Sequence, residues 1–432
     1  MSDDGIGLFE AVAVQIGIVV GAGLFSVTTV AVSSAGPAVG ISYVVAVVAI
    51  SLSLVPTAVL GSLYPTTGGN YRYPSRLWSR EVAFLAAWGM AVSVLAGGLP
   101  LYGLSFGEYL DSLVSVNTTL VELVVVTAFF LVNLVGIEPA ARVQQLMLVT
   151  LAVSLVVFIV GGFPAVESAN LSPVFSEGIS GALVGAALLY FVCLGANFIV
   201  DIGGDMRDAA LSIPRSFLIS IPLILVAYVL TSVIAVGIVG QETLAEADRL
   251  TVAADAALSD GFATFFTVGA LFAIATTVNA VYMIAPKYLL VLAEDGIFPE
   301  QFLVTNERFG TNHWGLAFIY VMSLPFLIAP LSLDQHSALM GYGSLVLVIP
   351  VMISAISLVR NRPEEYADAP VHVRPRLLAG IAGVAVVLNI ALLALLATEG
   401  PVMFVVWLGA VVLGGVYYVA RSWYLDDTSL RE

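Results

Sequence analysis

The stretch "VGAGLF" (residues 20–25) places two glycines, Gly21 and Gly23, in the middle of the first long apolar run of the chain. A bilayer offers backbone N–H and C=O groups no water to bind, and each unsatisfied group costs several kcal/mol there. Glycines at this depth indicate either close packing of neighbouring helices through small residues or a helix break that lines a cavity. This stretch alone leaves both interpretations open.

The composition is that of a protein embedded in a membrane. Apolar residues make up 60% of the 432 residues and charged residues 10%, with a mean hydropathy of +1.03, well outside the range of soluble domains. One cysteine, Cys193, excludes an internal disulfide, and the positions of the three histidines predict no metal cluster. The net charge of −15 argues against nucleic-acid binding. The amino-terminal stretch lacks the features of a cleaved signal peptide, so we expect it to remain as the first span.

Apolar windows of about 20 residues, separated by Pro, Gly and charged residues, predict twelve membrane spans. They cover residues 8–31, 38–63, 82–110, 119–137, 140–162, 179–203, 215–240, 261–292, 314–331, 336–359, 377–397 and 401–423. With a cytoplasmic amino terminus, every Lys and Arg except Arg249 falls on the cytoplasmic side. We therefore expect an all-α, multi-pass protein of the cell membrane with both termini in the cytoplasm.

The sixth predicted span contains a second interruption at Gly195-Ala196-Asn197, with Asp201 four residues later. Two interrupted helices five spans apart are typical of inverted-repeat secondary transporters, whose ligand site lies where the breaks meet. We predict a single transporter domain (1–432) with two inverted five-helix repeats (8–162 and 179–359), discontinuous first and sixth helices, and two accessory helices (377–423). The half-helix after a break suits a carboxylate and the half before it suits a cation, so the pair suits a zwitterion.

Four motifs resemble the amino acid-polyamine-organocation (APC) superfamily of permeases, and they occur in the order found in that family. They are "GAGLF" (21–25), "AVLGSLYPTTGGNYRYPSRLWSREVAFLAAW" (58–88), "GANFIVDIGGDMRDAALSIPRSF" (195–217) and "KYLLVLAEDGIFPEQF" (287–302). The resemblance implies a leucine-transporter-like fold of five plus five helices with two accessory ones. The chain departs from the family at Val59, where an acidic residue is usual, and at Gly204, where the family has the first of two acids. The fifth span lacks the lysine that couples protons in some relatives.

The resemblance also implies which residues bind substrate. The carboxylate is expected at the backbone of Ala22, Gly23 and Leu24, near Gly21 and Ile18. The amine is expected at carbonyls around Val192, Cys193 and Gly195. Asn197 either binds substrate or stabilises the break. Side-chain selectivity is expected from the third, sixth, eighth and tenth helices, at Val92, Ser93, Phe191, Asn279 and Tyr342.

The coupling ion, H⁺ or Na⁺, stays open. Asp201 and Asp205 lie below the sixth-helix break, where carboxylates act as gate partners or proton carriers, and Arg72, Arg207 or Lys287 are the expected partners. Thr276 and Thr277 lie near where sodium-coupled relatives of this fold place hydroxyl ligands. The alternative is that these hydroxyls bond carbonyls of their own helix. No cofactor is expected.

We predict a secondary permease for amino acids that works by alternating access. The central parts of the third, eighth and tenth spans contain no charged residue, and a charged substrate side chain would need a buried counter-charge, so a neutral amino acid is favoured. One alternative is an exchanger of cationic amino acids or polyamines, with Asp201 as counter-charge. Two others are a membrane-embedded enzyme and a non-transporting amino-acid receptor. The partners expected are the amino acid and the lipid bilayer, and the oligomeric state stays open.

Overall fold

The computed structural model describes residues 6–247 and 249–425, without the side chains of 137–144 and 424–425. The described chain is helical, and its β-structure is confined to two isolated bridges, Ile6 with Met206 and Thr67 with Ile202. In chain order the α-helices are α1 Leu8–Val19, α2 Ala22–Ala35, α3 Val39–Leu63, α4 Gly69–Leu77, α5 Arg80–Ser93, α6 Leu99–Asp111, α7 Thr118–Val135, α8 Ile137–Gly162, α9 Gly178–Leu194, α10 Ala209–Val239, α11 Gln241–Ala247, α12 Thr251–Ala257, α13 Asp260–Glu294, α14 His313–Leu327, α15 Leu333–Asn361, α16 Pro363–Ala367, α17 Pro375–Glu399 and α18 Pro401–Leu425.

Ten helical stretches of the described chain are long and apolar enough to cross a membrane, and they establish a multi-pass membrane protein. The first stretch, Leu8–Leu63, has 56 residues and contains three helices, α1 to α3. Helix α14 is apolar but has only 15 residues and falls short of the length criterion.

Helices are interrupted at both glycine-containing stretches singled out in the sequence. Helix α1 ends at Val19, and α2 begins at Ala22 after Gly21 as its N-cap. Helix α9 ends at Leu194 and continues as a 3₁₀ turn over Gly195–Asp201. A third irregularity, the π-helical segment Val94–Gly98, joins α5 to α6. Such π-segments occur often at functional sites.

The broken helix α9 lies at the centre of the bundle. In the most apolar window of Gly178–Asp201, 89% of the residues are buried inside the molecule, against 11% for Pro401–Trp423. Helix α9 packs against α2 and α3, while α18 lies at the periphery against α5 and α15. Helices α7 and α8 are separated by Gly136, whose φ of 143° is open to glycine alone among common residues.

Candidate transport site

The two helix breaks pack against each other in a reciprocal arrangement. A Cβ added to Gly23 would overlap Val192, in the last turn before the second break. A Cβ added to Gly195 would lie 2.9 Å from Cγ2 of Val19 and 3.0 Å from Cγ2 of Ile18, in the last turn before the first break. Each glycine therefore admits an aliphatic side chain of the other broken helix, and this close approach explains the residue type at both positions.

Side chains from neighbouring helices satisfy several backbone groups of the first break. The hydroxyl of Thr277 accepts a hydrogen bond from the N–H of Ala22 at 2.7 Å. The hydroxyl of Tyr228 donates to the carbonyl of Val19. Gly23 and Leu24 are the second and third residues of α2, so their N–H groups have no intrahelical acceptor. The first turn of α2 thus presents donors at the positive end of its dipole.

A cavity of about 100 Å³ lies beside both breaks. Ile18 and Gly23 line it from the first broken helix, and Phe191 and Gly195 line it from the second. The opposite wall consists of apolar and aromatic side chains of α5, the π-helical segment and α13, among them Trp88, Val94, Leu95, Ala280, Ile284 and Tyr288. No charged side chain of the described residues lines the cavity. Its walls therefore suit an uncharged, largely apolar side chain.

Six of the predicted site residues line this cavity: Ile18, Gly23, Phe191, Val192, Gly195 and Thr277. The backbone of Ala22 is bound to Thr277 instead, while Gly21 packs against α13, where a Cβ would lie 2.9 Å from the carbonyl of Ala273. Leu24 and Cys193 are buried but do not line the cavity.

Three predicted selectivity residues make contacts outside the cavity wall. Asn279 accepts a hydrogen bond from Asn133 of α7 at 2.8 Å. Tyr342 donates to the carbonyl of Gly400 at 3.0 Å and packs its ring against Phe404. Both side chains therefore support contacts between helices, and the structure gives them no place in the cavity wall. Ser93 likewise donates to the carbonyl of Leu339, at 2.6 Å.

A hydrogen-bonded network surrounds Asp201, at the end of the 3₁₀ turn that follows the second break. The carboxylate of Asp201 accepts hydrogen bonds from the backbone N–H of Asn70 at 3.0 Å, from its side-chain amide at 2.8 Å, and from the hydroxyl of Tyr288 at 2.5 Å. The amide of Asn197 donates to Asn70 Oδ1 at 2.6 Å. Asn197 is therefore part of this network and lies outside the cavity wall. The N–H of Gly68 also donates to the carbonyl of Asp201, at 3.0 Å.

Ion pairs flank this network at the same end of the bundle. Lys287 pairs with Asp205, and Arg72 pairs with Glu294. The expected cationic partners therefore divide: Lys287 binds Asp205, whereas Asp201 is held by an amide and a phenol, with no ion pair to any Lys, Arg or His of the described residues. The phenol of Tyr71 donates to Asp295 at 2.5 Å. Burial and that carboxylate raise the pKa of Tyr71, which stays a neutral donor.

The two threonines of α13 bond protein atoms. Thr276 donates to the carbonyl of Ala273 at 2.6 Å and lies 3.2 Å from the carbonyl of Gly17 in α1. Thr277 lies 3.3 Å from the carbonyl of Ala273 and accepts from Ala22. Both hydroxyls thus join α13 to the first broken helix.

Sequence reasoning missed four residues that shape the site: Gln15, Asn70, Tyr228 and Tyr288. Gln15 is fully buried and its amide donates to the carbonyl of Ala196 at 3.1 Å, which ties the first helix to the second break. A glutamine inside the first apolar span was a visible signal. Asn70 lies within a recognised motif, but its role depends on a contact 131 residues away.

Comparisons with known proteins identify the family of this chain. Residues 6–420 match the family described as amino acid permease. The chain belongs to this family. A branched-chain amino acid permease of Bacillus subtilis is 24% identical over 96% of this chain and 92% of its own length. The methylthioribose transporter of the same organism is also 24% identical, over 82% of this chain and 81% of its own length. The vacuolar cationic amino acid transporter 4 of Arabidopsis thaliana is 25% identical over 69% of this chain and 54% of its own length.

Family membership confirms the resemblance to APC permeases. The protein is an amino acid transporter of the membrane rather than an enzyme, and its substrate is a small molecule of the amino acid class. This permease holds both of its helix breaks against one apolar cavity.

Proposed function

We propose that this permease carries a neutral amino acid with an aliphatic side chain, bound in the cavity between the two breaks. The observation that carries this proposal is the uncharged wall contributed by both broken helices. An unpaired ionised side chain in such surroundings costs more than the apolar contacts return. The similarity to a branched-chain amino acid permease supports the same substrate class.

The substrate carboxylate lies against the first turn of α2, where Gly23 reaches the cavity and its N–H has no intrahelical acceptor. The amine faces the carbonyl end of α9, around Val192 and Cys193. The side chain extends along Phe191 toward α5 and α13. This orientation uses the positive end of one half-helix and the negative end of the other.

Transport proceeds by alternating access in a fold of twelve spans, with two inverted repeats of five helices and two accessory helices. Leu8–Leu63 supplies the first two spans and α14 the ninth, in addition to the other nine long stretches. The cavity extends along Leu289 and Leu292 toward the end of α13 that carries the Arg72 and Lys287 ion pairs. With the cell membrane orientation given by the positive-inside rule, this end is cytoplasmic and the cavity faces inward.

At the opposite end the structure is held shut by Tyr109 of α6. Its hydroxyl donates to the carbonyl of Phe25 in α2 at 2.9 Å and accepts from the N–H of Leu250, next to α12, at 2.9 Å. One phenol thus joins a broken helix, α6 and the loop outside the membrane. This contact has to open before substrate enters from that side.

Counterflow in proteoliposomes tests the proposal. Vesicles loaded with unlabelled leucine should take up radiolabelled leucine, and external valine and isoleucine should compete while arginine, lysine and putrescine should not. Competition by arginine or putrescine alone would favour an exchanger of cationic substrates, with Asp201 as counter-charge. Binding of leucine without counterflow would indicate a receptor.

A further inference from the structure

The carboxylate of Asp201 is buried, and no cation of the described residues pairs with it. Its side chain is 0% exposed and follows directly on the most buried helix of the bundle. Every donor to it is neutral: the backbone and side-chain N–H groups of Asn70 and the hydroxyl of Tyr288. The titratable or charged side chains that act on it from the packed elements are Tyr288 and Lys287 of α13 and Tyr73 of α4. Of these, Lys287 is bound to Asp205.

The network around Asp201 joins three elements of the fold. Asp201 ends the 3₁₀ turn that follows α9, Asn70 lies in α4, and Tyr288 lies on α13. Tyr288 also lines the cavity. Asp201 Oδ2 is therefore one hydroxyl group away from the substrate space, and that hydroxyl bonds the broken helix to a neighbouring helix.

We infer that Asp201 binds the proton that drives uptake, and that the bound proton releases Tyr288 from the 3₁₀ turn that follows α9. This inference rests on the permease function proposed above. A hydronium ion in the cavity transfers its proton to Oδ2, a new O–H bond forms, and a water molecule and a neutral carboxyl group remain. Charge and atoms balance without any other reactant.

Hydrogen-bond geometry explains the release. Oδ2 accepts from both Asn70 Nδ2 and Tyr288. A protonated Oδ2 is a donor and retains less capacity to accept, so one of the two contacts has to rearrange. Asn70 is also held to Oδ1 through its backbone N–H. The contact free to change is that of Tyr288, which connects the two helices.

Asp205 provides a matched carboxylate. It lies in the next 3₁₀ turn, Gly203–Asp205, pairs with Lys287, and its side chain is 52% exposed. The negative charge of Asp205 is already balanced by Lys287 and solvated by water, so a proton is not required to neutralise it. The variants Asp201→Asn and Asp205→Asn therefore remove the same charge from neighbouring positions with different expected results.

The experiment measures leucine accumulation in sodium-free proteoliposomes with an acidic outside and an alkaline inside, and leucine counterflow at equal pH. Wild-type protein and Asp205→Asn should accumulate leucine under the pH gradient. Asp201→Asn should lose gradient-driven accumulation and keep counterflow, which shows that it folds. Tyr288→Phe removes a donor to the ionised carboxylate, so the pH of half-maximal uptake should shift upward.

Four outcomes would overturn the inference. Wild-type counterflow without pH-driven accumulation refutes proton coupling and leaves the permease function intact. Accumulation by Asp201→Asn at the wild-type level refutes the assignment to this carboxylate. If Asp201→Asn loses counterflow as well, an unchanged pH profile in Tyr288→Phe decides against the proposal. Absence of leucine counterflow in the wild type would refute the proposed substrate and, with it, this inference.

Discussion

The substitution Gly23→Ala tests the reciprocal packing of the two breaks. The added Cβ would overlap Cγ1 of Val192 and lie 3.1 Å from Cβ and Cγ2 of the same side chain. Val192 belongs to the last turn before the second break and lines the cavity, so it has to move and the cavity has to change shape. Overpacking a close contact of this kind costs about 1–3 kcal/mol. Bound leucine needs Val192 in its present place, so the bound state bears this cost and leucine affinity should fall roughly 5- to 150-fold.

Equilibrium binding of radiolabelled leucine to purified protein measures this loss, and a second substitution identifies its cause. Val192→Ala removes the methyl groups that Gly23→Ala would strike, so the double variant should recover most of the affinity lost in the single one. Gly409→Ala is the matched control, because a Cβ at Gly409 meets no atom within 4 Å. Unchanged affinity in Gly23→Ala, or a double variant no better than the single one, would refute the packing argument.

Three further substitutions test other contacts. Thr277→Val leaves the N–H of Ala22 without its acceptor and should destabilise the protein by about 1–3 kcal/mol, seen as a lower thermal unfolding temperature. Tyr109→Phe removes the acceptor of the Leu250 N–H and should speed hydrogen–deuterium exchange in residues 250–257. Hydrogen bonding to Tyr64 holds the pKa of Glu365 below its ordinary 4.5; Glu365→Gln should therefore lower thermal stability at neutral pH, and its difference from wild type should shrink below that pH.

Each of these results has its own control. Thr277→Ser keeps the hydroxyl and should unfold near the wild-type temperature; equal losses in both variants would point to packing. Tyr282→Phe removes a buried hydroxyl that has no hydrogen-bond partner among the described residues. Equal hydrogen–deuterium exchange in Tyr282→Phe and Tyr109→Phe would contradict the role of the Tyr109–Leu250 hydrogen bond. The expected pH dependence for Glu365 follows from its lowered pKa in the folded state. Such a group stabilises the folded state at pH values above its unfolded-state pKa, and this stabilisation is lost as the pH falls through the folded-state pKa. A constant difference down to pH 3 would exclude the interaction with Tyr64.

The sequence was sufficient for features that depend on local chemistry. Long apolar windows predict the helices, because a membrane span needs length and few charges. Glycine in mid-membrane predicts a break, and the structure interrupts helices at Gly21 and Gly195. Family motifs then pointed to the permease, which the match over residues 6–420 confirms.

The sequence was insufficient wherever the rotation of a helix about its axis decides which side chains face the cavity. Helix α13 is apolar around most of its circumference, so no stripe shows which face meets the cavity. Thr277 and Asn279 are two residues apart and therefore point to different sides: Thr277 lines the cavity and Asn279 contacts α7. For the same reason the sequence did not indicate the role of Tyr288, whose hydrogen bond to Asp201 joins residues 87 positions apart.

The most direct test of the central claim is an experimental structure of the permease with leucine bound. We predict a single leucine between the two breaks, with its carboxylate about 3 Å from the N–H of Gly23, its amine at the carbonyl end of α9, and its side chain against Phe191. A leucine bound elsewhere, or bound with its carboxylate directed away from the first turn of α2, would contradict the account.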